Sequence, residues 1–182
     1  MQEITDSEII LMAKDEQKAN EALRLLMRKY KVRIYNHIRG ILISHEDSDD
    51  VTQDVFIKVW QNISTFRGDS SLFTWIYRIA TNESLNHIRK NRKKKLFASE
   101  NQEQYLLNLL SNETYINSEE IQMKLQKAII KLPDQQRLIF NMRYFDHIKF
   151  KEMAEILELT EGGVKSNYHI AEKKIKEFLK EH

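Results

Sequence analysis

The chain contains no cysteine. Disulfides, iron–sulfur clusters and cysteine-ligated zinc are therefore excluded. One proline and four glycines leave little turn material for a many-stranded sheet, whereas Leu, Ile, Lys, Glu, Gln and Asn abound, so the expected fold class is all-α. No uninterrupted apolar run approaches the ~18 residues a membrane span needs, and no basic flank leads into an apolar core of signal-peptide length. A cytoplasmic protein without membrane insertion is expected. No glycine-rich phosphate loop or nucleophile elbow is present. His37, His45, His87, His147, His169 and His182 form no His-x-x-x-His pair, and the acidic group near Asp50 lacks the mid-loop glycine and closing glutamate of a calcium loop. Catalytic residues, metal and cofactor are all expected to be none, and nothing points to an enzyme.

What is present fits a folded chain: 41% hydrophobic and 31% charged residues over a length of 182, enough for one ordinary domain or two small ones. The formal charge is only +2, but its distribution is uneven. Arg89, Lys90, Arg92, Lys93, Lys94 and Lys95 crowd one stretch, while Glu46, Asp47, Asp49, Asp50 and Asp54 form a compact acidic group. Two partners of opposite character are implied.

Apolar residues from Lys18 to Leu42 recur at helical spacing, including Ala22, Leu26, Val32 and Ile38, after which Gly40 and the polar run Ser44 to Asp50 punctuate the pattern. Val51, Val55 and Val59, widened by Phe56 and Trp60, predict a helix from about Asp49 or Asp50. Phe66 to Ser71 reads as a loop, with Ser70 or Ser71 capping a long helix from Leu72 into the basic cluster. That helix buries Leu72, Ile76 and Ile79, and sets Trp75, Arg78, Asn82, Asn86, Arg89 and Lys93 along another face.

Residues 96–118 read as a flexible linker, in which the patch Tyr105 to Leu110 can form a short helix or dock. Beyond it, Leu125, Ile129 and Leu132 begin a second array. Pro133 starts a helix at its first turn, Met153, Ile156 and Leu157 mark another, and Thr160 caps a last helix with the stripe Val164, Tyr168, Ala171, Ile175 and Leu179. A helix, a short turn and a capped helix make a helix-turn-helix.

The last helix leaves Lys165, Ser166, Asn167, His169, Ile170 and Lys173 off its buried stripe, where amides, hydroxyls and cations can read base edges or hold phosphates. An ordinary solvated face is the alternative. Aromatic rings beside amides and cations on the Trp75 face suit unpaired bases, which stack on rings while cations follow the backbone.

The order of segments is more specific than any one. Asp50-Val51-Thr52-Gln53-Asp54-Val55-Phe56-Ile57-Lys58-Val59-Trp60, then Phe66-Arg67-Gly68-Asp69-Ser70-Ser71-Leu72-Phe73-Thr74-Trp75-Ile76-Tyr77-Arg78-Ile79-Ala80-Thr81-Asn82, resembles region two of extracytoplasmic-function sigma factors of RNA polymerase. Leu132-Pro133-Asp134-Gln135-Gln136-Arg137 and Thr160-Glu161-Gly162-Gly163-Val164-Lys165-Ser166 resemble the opening and the helix-turn-helix of region four.

The resemblance implies a region-two domain over residues 1–95, the linker 96–118, and a region-four domain over 119–182. It implies that Asp50, Gln53, Asp54, Phe56 and Trp60 dock on the coiled coil of the largest subunit of core RNA polymerase. Phe66, Trp75, Arg78, Asn82, Asn86, Arg89 and Lys93 are then the candidates for the minus-ten element of promoter DNA, and Lys165, Ser166, Asn167, His169, Ile170 and Lys173 for the minus-thirty-five element. An anti-sigma factor is a further implied partner. Asn167, Ile170 and Glu172 stand where many relatives carry arginines, which weakens phosphate attraction and implies a different base preference. Gly163 stands where threonine or alanine is common. A conventional helix-turn-helix regulator that never joins the polymerase is the alternative, and the acidic helix followed by the aromatic and basic one argues against it.

Overall fold

The computed structural model describes residues 4–95 and 120–181, excluding the side chains of residues 92–95, 120 and 121. The expected linker and its Tyr105 to Leu110 patch lie outside the described residues. The described elements are α1 (Asp6–Ala13), α2 (Ala19–Leu42), α3 (His45–Asn62), a 3₁₀ turn (Ile63–Thr65), α4 (Leu72–Lys95), α5 (Glu120–Ile130), α6 (Asp134–Tyr144), α7 (Phe150–Leu157) and α8 (Glu161–Glu181). Every described element is helical, as the scarcity of turn residues requires.

The ends of these helices follow from local chemistry. Thr5 and Glu8 form a capping box at the start of α1, an element the hydrophobic periodicity does not reveal. Ser44 Oγ accepts the Asp47 N–H at 3.2 Å, so α3 begins at His45 rather than near Asp49. A capping hydroxyl decides that boundary and the valine stripe does not. Ser71 Oγ accepts the Thr74 N–H at 3.0 Å and starts α4. Pro133 is the N-cap of α6, one position before the first turn expected for it. Arg137 is buried, donating to the carbonyls of Ile130 and Leu132 and to Asp134, and so fixes the turn between α5 and α6. Thr160 Oγ1 accepts the Gly163 N–H at 3.1 Å, as the cap reading predicts.

Helices α1 to α4 form one bundle around Leu26, Ile34, Val55, Val59 and Ile76. Helices α5 to α8 form a second group with a small core of Ala128, Ile129, Phe140, Ala171 and Ile175. The two do not stand apart. Leu138, Ile139 and Met142 of α6 and Met153, Ala154 and Ile156 of α7 belong to the same buried cluster as Ile38, Ile41, Tyr77 and Ala80 of the first bundle. Helix α6 packs on α2 and α7 packs on α4.

Gly40 explains how close that approach is. It lies inside α2 instead of ending the helix, and a Cβ there would meet Asn141 Nδ2 of α6 at 3.3 Å. The missing side chain lets Asn141 Nδ2 donate to the Gly40 carbonyl at 2.7 Å. Val32, placed on the apolar pattern, is 69% exposed.

Candidate nucleic-acid interface

Helix α4 carries two faces with separate tasks. Leu72, Ile76, Tyr77 and Ala80 are buried, which orients the helix against α2 and α3. This leaves Trp75 and Arg78 half-buried and Asn82, Asn86 and Arg89 exposed along the opposite side. The described part of that face, from Trp75 to Arg89, is thus accessible along one side of α4. Arg89 Nη1 donates to Asn86 Oδ1 at 3.3 Å, and Lys93 lies among the residues whose side chains are not described.

At the N-terminal end of that strip the Phe66 ring packs against Trp75 with centroids 5.2 Å apart and a tilt of 47°. Both line an open cleft of about 720 Å³ together with Lys58, Asn62, Arg67 and Arg78. Lys58 and Asn62 escape the motif reading because they belong to α3. The only trace of them in the sequence is their four-residue spacing. Lys58 also bridges α3 to α4 through Glu83 at 2.6 Å. Asp69 also lines the cleft and pairs with Arg67 at 3.2 Å, and the two rings, the amide and the cations Lys58 and Arg78 suit a planar, unpaired base attached to a phosphate backbone.

Arg78 is partly occupied. Its Nη2 donates to the Glu155 carbonyl at 2.7 Å, in the last turn of α7, where carbonyls lack helical partners and favour a cation. Arg78 Nε is buried without a hydrogen-bond partner.

On α3, Asp50, Gln53 and Asp54 are exposed and Trp60 is half-buried, making a coherent acidic surface with an aromatic edge. Phe56 does not belong to it. At 5% exposure it is a core residue, because its position beside Val55 and Val59 turns it toward α2 and α4. Ile57 is instead 47% exposed beside Asp54 and is the apolar member that the motif reading missed. Asp47 is drawn to His87 of α4 at 3.1 Å, so part of the acidic group joins helices instead of facing outward.

Helix α8 buries Val164, Ala171 and Ile175 and half-buries Tyr168, whose phenol is pushed above its usual range chiefly by burial. Lys165, Ser166, His169, Ile170 and Lys173 are exposed. Asn167 is half-buried, its Nδ2 donating to the Gly163 carbonyl at 2.9 Å. Lys165 pairs with Glu161 at 2.6 Å and Lys176 with Glu172 at 3.1 Å, so the face is balanced in charge. Gly163 has a local role: a Cβ there would meet the capping Thr160 Oγ1 at 3.0 Å. The turn before α8 uses Glu158 at φ 56° instead of glycine, which leaves no sequence signal for it.

Among the described residues no helix is long and apolar enough to cross a membrane. Residues 26–94 match the family model for Sigma-70 region 2, and residues 122–175 match that for Sigma-70 region 4. The ECF RNA polymerase sigma factor SigW of Bacillus subtilis is 29% identical over 160 residues, covering 84% of this chain and 86% of that protein. The ECF RNA polymerase sigma-E factor of Escherichia coli is 28% identical over 173 residues, 91% of this chain and 89% of its own length. Two solved structures share the fold with a TM-score of 0.68. One is CnrH in complex with the cytosolic domain of CnrY, at 22% identity, covering 96% of this chain and 98% of that one. The other is RpoE of Bartonella quintana in complex with the anti-sigma factor NepR, at 19% identity, covering 86% and 96%.

Proposed function

The chain belongs to the extracytoplasmic-function RNA polymerase sigma factors, which direct the polymerase to promoters, and from that premise we propose how its residues divide the work. The region-two domain, residues 1–95, docks on the largest-subunit coiled coil of core polymerase through Asp50, Gln53, Asp54 and Trp60 of α3, with Ile57 supplying apolar contact in place of Phe56. The Trp75, Arg78, Asn82, Asn86, Arg89 and Lys93 strip of α4, with Phe66, holds unpaired non-template bases of the minus-ten element. The region-four domain, residues 119–182, lays α8 into the duplex at the minus-thirty-five element through Lys165, Ser166, Asn167, His169, Ile170 and Lys173.

Opening requires no chemistry on this reading. Unstacking a base costs only a few kcal/mol, and a protein that binds the open form better than the duplex shifts the equilibrium by that difference. The supporting observation is that the acidic surface of α3 and the ring-and-cation cleft between α3 and α4 belong to one packed bundle, so docking on polymerase would set where the cleft meets DNA. A repressor has no use for that pairing. An anti-sigma factor is proposed as a regulatory partner, in line with the complex in which the Bartonella RpoE was solved. The protein is expected in the cytoplasm and to be no enzyme.

The test is reconstitution. Core polymerase plus this chain is expected to initiate from a defined subset of a randomised linear promoter library that neither component uses alone. Absence of any promoter-specific enrichment refutes the reading.

A further inference from the structure

Helix α8 carries one side chain that its own fold does not explain. Val164, Ala171 and Ile175 are buried and anchor the helix on its neighbours. At about 100° per residue, Ile170 points roughly 120° away from Val164 and roughly 140° away from Ile175. It is 44% exposed and belongs neither to the two buried clusters nor to the residues packed against them. Leu179, the other large apolar residue of α8 exposed to this degree, lines the groove between α5, α6 and α8 with Tyr168 and Ile175. Ile170 is therefore the lone large apolar group on the outward face. Isoleucine is also a poorer helix former than lysine, glutamate or glutamine, because its branched Cβ loses rotamer freedom in a helix. A local choice that favours neither the helix nor its solvation points to a task outside the fold.

The rest of that face is polar and electrically balanced. Ser166 and Lys173 lie about one turn before and after Ile170, with His169 beside it. Lys165, Lys173 and Lys176 each face a carboxylate of the same helix, Glu161 at 2.6 Å, Glu177 at 3.9 Å and Glu172 at 3.1 Å. Asn167 is half-buried and donates to the Gly163 carbonyl. Attraction to phosphate is damped by these pairs, so discrimination between base pairs falls to the few groups that face outward.

Major-groove chemistry limits what Ile170 can meet there. Guanine presents N7 and O6, adenine N7 and N6, cytosine N4, and thymine O4 together with a C5 methyl group that no other base carries. Isoleucine neither donates nor accepts, so against a purely polar edge it strips water from atoms and returns no hydrogen bond. Against thymine it buries methyl on methyl.

We propose that Ile170 specifies a thymine in the minus-thirty-five element, read through its C5 methyl group. The inference rests on the reading of α8 as the duplex-binding helix. It makes the preference at that position apolar, where an arginine would hold guanine through two hydrogen bonds.

The test removes one methyl group. In the minus-thirty-five element selected with the full chain and core polymerase, each thymine is replaced singly by deoxyuridine, and closed-complex affinity is measured by gel shift at low temperature. One replacement is expected to weaken the wild-type complex about threefold to fourfold, as loss of one buried methyl group implies. The Ile170→Ala complex should bind that probe and the thymine probe alike, and unchanged helical circular dichroism shows that the variant is folded. Ile170→Arg should move the selected pair at that position from A·T to G·C. Lys173→Ala, a phosphate contact on the same reading, should weaken every probe equally. If Lys173→Ala weakens binding while no deoxyuridine distinguishes wild type from Ile170→Ala, α8 lies on the duplex and the thymine proposal is overturned. A selected element without thymine overturns it directly. If neither variant alters duplex binding, the reading of α8 fails and the proposal falls with it.

Discussion

Replacing Trp75 by alanine separates promoter opening from duplex binding. Phe66 packs against the indole at a tilt of 47°, with centroids 5.2 Å apart, and both rings line the open cleft where a base would be held. Base–aromatic stacking is worth about 1 to 3 kcal/mol, and at the middle of that range the expected loss is about 2 kcal/mol, roughly 30-fold in the open-complex equilibrium. The closed complex forms on duplex DNA before any base is exposed and should change by less than about twofold. Loss of the Phe66 ring contact adds about 0.5 to 1.5 kcal/mol of local destabilisation, which a denaturant melt reads separately. The assay compares permanganate reactivity of unpaired thymines with gel-shift affinity of the closed complex at low temperature. Trp75→Phe should recover part of the opening defect. Equal losses in the closed and open complexes, or no rescue by phenylalanine, would refute the stacking role.

His37 of α2 is buried, and its Nδ1 lies 2.9 Å from Asp146 Oδ2 in the α6–α7 turn. This pair between the domains predicts thermodynamic coupling: in a double-mutant cycle of His37→Ala and Asp146→Ala followed by urea unfolding, the coupling energy should be about 1 to 3 kcal/mol, and a value near zero would show that the bond contributes nothing. Phe56→Ala should cost about 3 to 5 kcal/mol of stability as a core truncation, whereas Ile57→Ala should leave the melt within about 0.5 kcal/mol yet weaken binding to core polymerase about 5- to 30-fold; the reverse pattern would move the docking surface elsewhere. Burial raises the Tyr77 phenol well above its usual range, with the Asp146 carboxylate adding to it, and burial together with the Asp6 hydrogen bond does the same for Tyr30. Since their folded values exceed the unfolded ones, their contribution is complete below about pH 10 and is lost as pH rises beyond it. Absorbance at the phenolate band should show these two of the seven tyrosines ionising only together with loss of helical circular dichroism, and simple titration of all seven would contradict the burial.

The sequence by itself determined the helical class, the capped starts of α4 and α8 and the two-faced character of α4, because each rests on short-range chemistry: scarce turn residues, a hydroxyl placed before a helix, and a period of about 3.6 residues. It also carried the family motifs, whose residue order is independent of any fold coordinate. The valine stripe already placed Phe56 on the covered side of α3, and only the family motif set it at the docking surface, whereas Ile57, 47% exposed, falls on the side of Gln53 and Asp54. Gly40 read as punctuation, as nothing local reveals that Asn141 comes to rest on its backbone. Lys58 and Asn62 joined the cleft only when α3 and α4 packed side by side. The tertiary structure alone decided the packing of the first bundle on α6 and α7, because His37 and Asp146 are 109 positions apart and a bond over that separation leaves no periodic trace in either segment.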